Sequence, residues 1–280
     1  MREILCETIT DAVEKLCIEA ATILPPSLAI MLECAAESEE SPAGASALDV
    51  IVENFKQAAM DGLPICQDTG MAVIFADIGQ DVHITGGLFE EAVNEGVRRG
   101  YDKGLLRMSV AGDPFRRNNT GDNTPCVLHV RLTRGDRIDL HAAPKGFGSE
   151  NMSAMRMFLP TDAVETVEDF IVETVSKAGS NPCPPVVLGV GLGGTVEQCA
   201  LAAKRALLRL ADTRSTDAFY AKMERRVLEK INRLGIGPQG FGGRYTAIAV
   251  NISACPVHIA GLPCVVNMGC HATRHAHAII

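Results

Sequence analysis

A cluster of reactive side chains, Cys66-Gln67-Asp68-Thr69-Gly70, stands immediately before an apolar segment, residues 71–78, that has the composition of a strand. The cluster places a thiol, an amide, a carboxylate and a hydroxyl side by side, followed by a glycine at which the backbone can turn sharply. Such a set of polar groups at the mouth of an apolar strand is typical of a reaction site. Alone, it fits a polar turn with a buried free cysteine equally well, because cysteine is among the most buried residue types.

Two other cysteines lie beside unusual backbone. Cys199 falls in the first turns of the helix predicted after the glycine segment 191–194, and Cys270 opens the segment Cys270-His271-Ala272-Thr273-Arg274-His275. Their separation from Cys66 excludes a zinc ribbon with paired CxxC knuckles, whereas widely spaced cysteines do hold iron–sulfur clusters. The chain has ten cysteines, so spacing alone leaves buried structural thiols ahead. A four-iron cluster held by three thiolates would leave one iron free to act as a Lewis acid.

Basic residues recur beside small ones where loops are predicted, and together they would suit the binding of carboxylates through charge-assisted hydrogen bonds. They are Arg107, Arg116, Arg117, Lys145 and Arg244. Each alone fits a solvated surface charge. His258 lies in an apolar segment, residues 257–260, where a lone histidine is most often a core residue. A polarising or proton-handling role is the alternative.

Composition narrows the class of protein. The chain has 280 residues, 47% of them hydrophobic and 21% charged, with a net charge of −8. The absence of a basic stripe argues against nucleic acid, and the acidic balance argues against anionic membrane surfaces. No apolar signal core follows a basic start, and no apolar run reaches the length of a membrane span. We therefore expect a cytoplasmic protein in a reducing compartment, where disulfides are disfavoured.

The pattern of periodic segments predicts an α/β (mixed α+β) fold, with a helical N-terminal region followed by mixed strands and helices. We expect a single domain over residues 1–280, with two lobes around a central cleft where the glycine loops gather. Helices are predicted over residues 3–36 with a break at Pro25-Pro26, and over 47–60, 89–103, 152–159, 162–178, 196–210 and 216–234. Strands are predicted over residues 71–78, 127–130, 137–141, 186–190, 246–251 and 263–267.

One glycine segment, residues 189–194, fits the dinucleotide fingerprint GxGxxG between a strand and a helix. This allows a nicotinamide-dependent oxidoreductase as an alternative. No second strand ending in Asp or Glu follows at the expected distance, which weakens that alternative. Glycine loops before helices also bind other anions through backbone N–H groups.

Six motifs in order resemble the alpha subunit of two-subunit, iron–sulfur class I fumarate hydratases, a family related to the tartrate dehydratase alpha subunit. The resemblance runs nearly end to end. The motifs are CQDTG at 66–70, NTGDNTP at 119–125, PKGFGSENMS at 144–153, GVGLGGT at 189–195, GIGPQGFGG at 235–243 and CHATRHA at 270–276. A shared order of this many motifs is a specific signal.

The resemblance implies a hydro-lyase that adds water reversibly to fumarate to give (S)-malate, as in the tricarboxylic acid cycle. It implies a [4Fe-4S] cluster held by Cys66, Cys199 and Cys270, with one open iron. The nearest substitutes for Cys199 are Cys183, Cys255 and Cys264. It assigns proton transfer to Asp68 and a place against the substrate to His258. Substrate binding falls, by the same resemblance, to Gln67, Arg107, Lys145 and Gly146, with Lys145 also counted as catalytic.

The resemblance also bears on substrate and partner. The intact segments at 145–151 and 270–275 favour fumarate over tartrate, while mesaconate stays possible because one methyl is discriminated by only about 1–3 kcal/mol. Single-chain enzymes continue into a second domain, so we expect a separate beta subunit that completes the site in an alpha–beta heterodimer or heterotetramer. A non-enzymatic role, such as an iron sensor, is the remaining alternative, and intact Asp68, Lys145 and Arg107 speak against it.

Overall fold

The computed structural model describes residues 1–280 and has a mixed α/β architecture, so the predicted fold class is confirmed. The helices are α1 Cys6–Thr22, α2 Pro26–Ser38, α3 Pro42–Asp61, α4 Phe89–Lys103, α5 Phe147–Glu150, α6 Val164–Ala178, α7 Val196–Ala206 and α8 Ala218–Asn232, with a 3₁₀ turn at Pro238–Gly240. The strands are β1 Arg2–Leu5, β2 Met71–Gly79, β3 Val82–Thr85, β4 Val127–Thr133, β5 Ile138–Lys145, β6 Ala154–Phe158, β7 Val186–Leu192, β8 Ala247–Ala254, β9 Leu262–Gly269 and β10 Ala276–Ile279.

The chain forms two compact units. Unit 1 comprises Met1–Pro25, Phe55–Phe147 and Arg274–Ile280, and unit 2 comprises Pro26–Asn54 and Gly148–Thr273. Each unit has its own four-stranded sheet and its own apolar core. The expectation of one domain with a central cleft stays a prediction.

The sheet of unit 1 has the order β10-β5-β2-β4. Its central strand β2 pairs antiparallel with β5 and parallel with β4. Six consecutive residues of β2, from Ala72 to Asp77, are buried, as expected of a strand covered on both faces. Helix α1 packs on β5 and β10 and against α4, and it presents Ile9, Val13 and Leu16 to the core at helical spacing. The opening of β2 is thereby held rigidly beside the end of β5.

The sheet of unit 2 has the order β6-β9-β7-β8, with β7 buried along its whole length. Helix α7 lies directly on β7. A Cβ at Gly189 would stand 2.0 Å from the carbonyl oxygen of Ala203, and one at Gly191 would stand 2.1 Å from that of Cys199. Because no side chain fits there, these two glycines set the closeness of the helix to the strand.

A buried carboxylate links α8 to the sheet of unit 2. The Glu224 side chain is completely buried and forms an ion pair with Arg209. It also accepts hydrogen bonds from the backbone N–H groups of Ile252 (2.9 Å) and Ser215 (2.9 Å). Removing one member of a buried pair leaves the other uncompensated, which is far costlier than losing a surface pair.

We therefore expect Glu224→Ala to lower the free energy of unfolding by about 3–5 kcal/mol, measured by urea denaturation. Glu224→Gln retains an acceptor oxygen and is the matched control, with a smaller loss. A Glu224→Ala loss no larger than that of an exposed variant such as Glu229→Ala would contradict the structural role of this carboxylate.

One predicted element is wrong. Residues 152–159 were expected to form a helix, but Ala154–Phe158 forms strand β6, paired antiparallel with β9. The segment is short and the strand stands at the sheet edge, where pairing with a neighbour overrides weak local preference. The first predicted helix also included residues 3–5, which belong to strand β1, and the segment that contains β3 was predicted as a loop or hairpin. Strand β10 was not predicted, and each of these strands is only four residues long.

By length and composition alone, the stretch Cys6–Ser38 would be apolar enough to cross a membrane, which the sequence expectation did not anticipate. In the structure this stretch consists of two helices, α1 and α2, separated before Pro26. Half of its apolar window is buried, with α1 contributing to the core of unit 1. We interpret both segments as core helices.

Candidate active site

The predicted reactive segment, residues 66–70, lies in unit 1 between α3 and β2, and buried polar side chains fix its backbone. The hydroxyl of Tyr101 donates to the carbonyl oxygens of Thr69 (2.9 Å) and Gly70 (3.1 Å). The side-chain amide of Asn123 donates to the same Gly70 oxygen at 3.2 Å. Both of these side chains are 0% exposed. The segment therefore has one well-defined backbone conformation.

Asp68 is the best-connected side chain of this segment. One of its carboxylate oxygens accepts from the backbone N–H of Gly70 at 3.1 Å and the other from that of Phe147 at 2.8 Å. The Arg274 guanidinium donates to the Asp68 carbonyl oxygen at 2.6 Å, and the Asp68 N–H points at the sulfur of Cys66 at 3.4 Å. Thiol and carboxylate are thus held in one fixed relation.

The end of β5 closes against this loop. Met71 pairs with Lys145 in the antiparallel register of β2 and β5, and the buried Lys145 is followed directly by Gly146. Gly70 has φ +75°, and a Cβ there would stand 2.5 Å from the carbonyl carbon of Lys145. A Cβ at Gly146 would stand 3.0 Å from a carboxylate oxygen of Asp68. Glycine is therefore required at 70, and the ammonium-bearing strand end lies beside the carboxylate.

The predicted substrate-binding residues Arg107 and Gln67 have exposed side chains in the same unit. The backbone of Arg107 is tied to the segment, since its N–H donates to the Thr69 hydroxyl at 2.9 Å. Two residues further on, the Ser109 N–H donates to Asn123 at 2.7 Å. Unit 1 thus brings Cys66, Gln67, Asp68, Arg107, Lys145 and Gly146 into one group of connected loops.

Tyr101, Asn123 and Arg274 were not among the predicted site residues. Arg274 lies in the CHATRHA motif, so its position could have been noticed, whereas Tyr101 sits on an ordinary helical face of α4. Burial is the main cause that raises the pKa of the Tyr101 phenol, and the nearby Cys17 thiol raises this pKa further. The hydroxyl therefore stays protonated and remains a hydrogen-bond donor.

We expect Tyr101→Phe to destabilise unit 1 by about 1–3 kcal/mol, because it leaves two buried carbonyl oxygens without this donor. Urea denaturation of the full chain measures this. Tyr220→Phe, on α8, is the matched control, because no hydrogen bond of its hydroxyl contributes to the 66–70 segment. Equal losses for the two variants would show that the Tyr101 hydroxyl does not support this loop.

Cys199, the second predicted metal ligand, lies in unit 2 in a setting that does not favour metal binding. Its side chain is 0% exposed and packs with Ala203 and Val265. Its sulfur donates to the carbonyl oxygen of Gly191 at 3.2 Å. Burial, more than any neighbouring charge, raises the pKa of the Cys199 thiol to about 11. A thiol must lose its proton to bind a metal, and burial, the main influence on this pKa, opposes that loss.

Cys183, one of the three predicted substitutes for Cys199, lies beside the segment that carries the third predicted ligand, Cys270. The backbone N–H of His271 donates to the Cys183 carbonyl oxygen at 3.2 Å, and the His271 ring Nδ1 lies 3.0 Å from the same oxygen. The Gln239 amide donates to the next carbonyl, that of Pro184, at 2.8 Å. Cys183 is exposed and Cys270 is partly exposed. The position of Cys183 directly before two prolines was the sequence signal that could have identified it.

The glycine segment 189–194 has a structural explanation that does not involve a dinucleotide. Gly189 and Gly191 lie inside β7, where the backbone of α7 packs directly against them, as described above. At Gly193 a Cβ would stand 2.2 Å from the carbonyl oxygen of Cys255. The glycines thus serve packing of the strand, which removes the main support for an oxidoreductase.

His258 lies in unit 2, in the loop between β8 and β9, and is exposed. Its ring Nδ1 accepts a hydrogen bond from the backbone N–H of Ala260 at 3.2 Å. It is therefore not a core histidine, which was the simpler of its two interpretations. Its predicted role against a substrate stays a prediction.

Comparison with known proteins identifies the family of the chain. The family model described as Fumarate hydratase (Fumerase) matches residues 10–279. The chain is 39% identical over 273 residues to the putative L(+)-tartrate dehydratase subunit alpha of Methanocaldococcus jannaschii, covering 96% of each chain. It is 29% identical over 276 residues to the L(+)-tartrate dehydratase subunit alpha of Escherichia coli O157:H7, covering 97% of this chain and 90% of the relative.

The chain belongs to the fumarate hydratase (fumerase) family, a family of hydro-lyases. The resemblance inferred from the six motifs is therefore confirmed. Both relatives are named as alpha subunits, that is, as one chain of a larger enzyme.

Proposed function

We propose that this chain is the alpha subunit of an iron–sulfur hydro-lyase that adds water to, or removes it from, a four-carbon dicarboxylate. The observation that carries the proposal is the connected group in unit 1, where Asp68 is anchored by two backbone N–H groups beside Lys145 and Cys66. Family membership supports the reaction class. The two-subunit names of the relatives support a separate beta chain.

We propose Cys66, Cys183 and Cys270 as the three thiolates of a [4Fe-4S] cluster. These sulfurs fit such a group because all three are exposed or partly exposed. The N–H of Asp68 is directed at the Cys66 sulfur, so it would donate a hydrogen bond to a cluster ligand there. Cys199, assigned by the resemblance, fits poorly because its thiol is buried and protonated. The assignment at that position therefore passes to Cys183.

When bound, a cluster with three protein ligands supplies a Lewis acid at its remaining iron. The residues of this chain would supply the rest. The Arg107 guanidinium and the Lys145 ammonium would bind the substrate carboxylates and stabilise the charge that develops on the one next to the reacting carbon. The carboxylate next to C3 is negatively charged, which makes the C3 proton only weakly acidic. Cationic groups beside this carboxylate are therefore needed for the C3 proton to become removable. Asp68 would exchange a proton with the departing or entering water.

Fumarate, hydrated to (S)-malate, is the substrate favoured by the sequence motifs. L(+)-tartrate, dehydrated to oxaloacetate, is the second candidate, and the names of the relatives favour it. Mesaconate differs from fumarate by one methyl and is a third possibility within the same reaction class. All three are dianions, so the same pair of cations serves each of them.

The beta subunit would complete the site, including the base that removes the C3 proton, in an alpha–beta heterodimer or heterotetramer. We place the enzyme in the cytoplasm, where ten cysteines stay reduced. The alpha chain by itself is then expected to hold iron weakly and to turn over little. Activity of the purified alpha chain equal to that of the alpha–beta mixture would overturn this part of the proposal.

One assay tests the function. The alpha and beta chains are purified together without oxygen, and two rates are compared: the loss of fumarate ultraviolet absorbance and the release of oxaloacetate from L(+)-tartrate. A faster fumarate reaction supports the first candidate and a faster tartrate reaction the second. A preparation with full iron content and no activity on fumarate, tartrate or mesaconate would overturn the proposed function.

A further inference from the structure

Three side chains that the proposed reaction does not use converge at the edge of the unit 1 sheet. A carboxylate oxygen of Asp139 lies 3.2 Å from Nε2 of His141 and 2.7 Å from Nε2 of His277. The two imidazole rings are stacked, with centroids 4.3 Å apart and planes inclined by 21°. The possible ligand atoms of the three residues all lie within 4.8 Å of one another.

The register of the sheet creates this arrangement. His277 of the edge strand β10 is paired directly with His141 of β5. Asp139 stands two residues before His141, so both project from the same face of β5. The alternate residues Ile138, Leu140 and Ala142 are buried on the opposite face. Backbone pairing therefore brings the three polar side chains together on the outward face and fixes their positions relative to one another.

The cluster is partly open to solvent and stands on a strand whose opposite face is buried. The side chains of His141, Asp139 and His277 are 24%, 40% and 43% exposed. An ion held by all three would thus retain water on its outer side. The carboxylate supplies negative charge at a point where two imidazole rings converge. Imidazole nitrogen with carboxylate oxygen is a donor set that suits zinc and its first-row neighbours.

We propose that Asp139, His141 and His277 form a binding site for a divalent transition-metal ion of the zinc class, separate from the thiolates assigned above. A metal ligand needs an Nε2 without a proton, so each neutral imidazole would carry its single proton on Nδ1 when the ion is bound. A shift of that proton from Nε2 to Nδ1 changes the tautomer and leaves the charge of each side chain the same. Tetrahedral ligands about 2.1 Å from a metal are about 3.4 Å apart. From the observed separations of 2.7 and 3.2 Å the carboxylate oxygen would move outward, and the stacked rings would turn so that both Nε2 atoms point at the ion.

The expected consequence is a clamp on the edge strand. His141 and His277 belong to different strands, so one ion would join β5 to β10 across their pairing. A ligand that binds only the folded state raises its stability by an amount that grows with the logarithm of the ligand concentration above Kd. The ion would therefore stabilise the β10 pairing without taking part in the dehydration.

Cobalt(II) titration of the full chain tests the proposal. Cobalt bound by nitrogen and oxygen gives visible bands without the near-ultraviolet thiolate band that cobalt at cysteine produces, so the two kinds of site are distinguishable. We expect one such nitrogen–oxygen site in the unaltered chain. Loss of a second-shell partner costs 10–100-fold in affinity, so losing a ligand in His277→Ala should weaken binding by at least about 100-fold. His83→Ala removes an exposed histidine from strand β3 and is the matched control.

A second measurement covers the case in which His277→Ala does not fold. Substoichiometric cobalt added to the unaltered chain should broaden the imidazole NMR signals of His141 and His277 and leave that of His83 unchanged. Equal cobalt affinity in the unaltered chain, His277→Ala and His83→Ala would overturn the proposal. So would selective broadening of His83, or a spectrum with the thiolate band alone.

Discussion

Replacing Cys183 by serine is expected to abolish both the visible iron–sulfur absorbance and the hydro-lyase activity, while Cys199→Ser leaves both close to the unaltered values. Serine is a poor cluster ligand, and Cys183 is exposed beside the segment of Cys270. Cys199 instead donates its thiol hydrogen to a buried carbonyl, a contact that a serine hydroxyl can reproduce. Iron and sulfide content of the anaerobic alpha–beta enzyme, with visible absorbance, measures the difference.

The matched control for this pair is Cys34→Ser, which changes an exposed cysteine on α2 and should leave cluster and activity unchanged. Cys66→Ser and Cys270→Ser should behave like Cys183→Ser. Full cluster content in Cys183→Ser, combined with its loss in Cys199→Ser, would restore the assignment that the family resemblance suggested from sequence.

Asp68→Asn is expected to lower kcat by about 10²–10⁴, the usual contribution of a positioned acid–base group, with little change in iron content. Asparagine has nearly the same shape and retains one acceptor oxygen for the backbone N–H groups of Gly70 and Phe147. It cannot exchange a proton as a carboxylate does. Steady-state kinetics of the alpha–beta enzyme separates kcat from KM, and iron analysis reports whether the site remains assembled.

Asp61→Asn, at the end of α3, provides the control for Asp68→Asn, because its carboxylate contacts only the exposed Gln57. Near-normal kcat in Asp68→Asn, or a rise in KM alone, would exclude proton transfer by this residue. It would leave Asp68 with a purely structural role in holding the loop.

Local pattern was sufficient where the chain carries a strong periodic signal. The apolar run that became β2 and the amphipathic stretch that became α4 were both identified, the latter with the same bounds, 89–103. Strand β6 was assigned to a helix because its pairing with β9 joins residues about a hundred positions apart. Four-residue strands such as β10 carry too little pattern to be recognised without their partners.

The sequence predicted the reactive side chains of the candidate site but not the buried side chains that fix its backbone. The motifs identified Asp68 and Lys145, and the family resemblance added Arg107; the backbones of all three belong to connected loops in unit 1. Tyr101 could not be identified, because a buried donor looks like any other polar residue until its acceptor is known, whereas Asn123 lies in the NTGDNTP motif at 119–125 and could have been noticed. Cys199 and Cys183 differ in burial rather than in residue type, so only the folded chain separates them.

The pairing of Met71 with Lys145 has a consequence for variants that still fold. Side chains alternate between faces along a strand, so sliding β5 by a single position would turn every one of its side chains over. The ammonium group would then move to the opposite surface, away from the carboxylate at 68, although total strand content would be unchanged. A variant in which β5 pairs out of register would therefore lose turnover and keep its circular dichroism spectrum. The residue types alone would not reveal such a change in strand pairing.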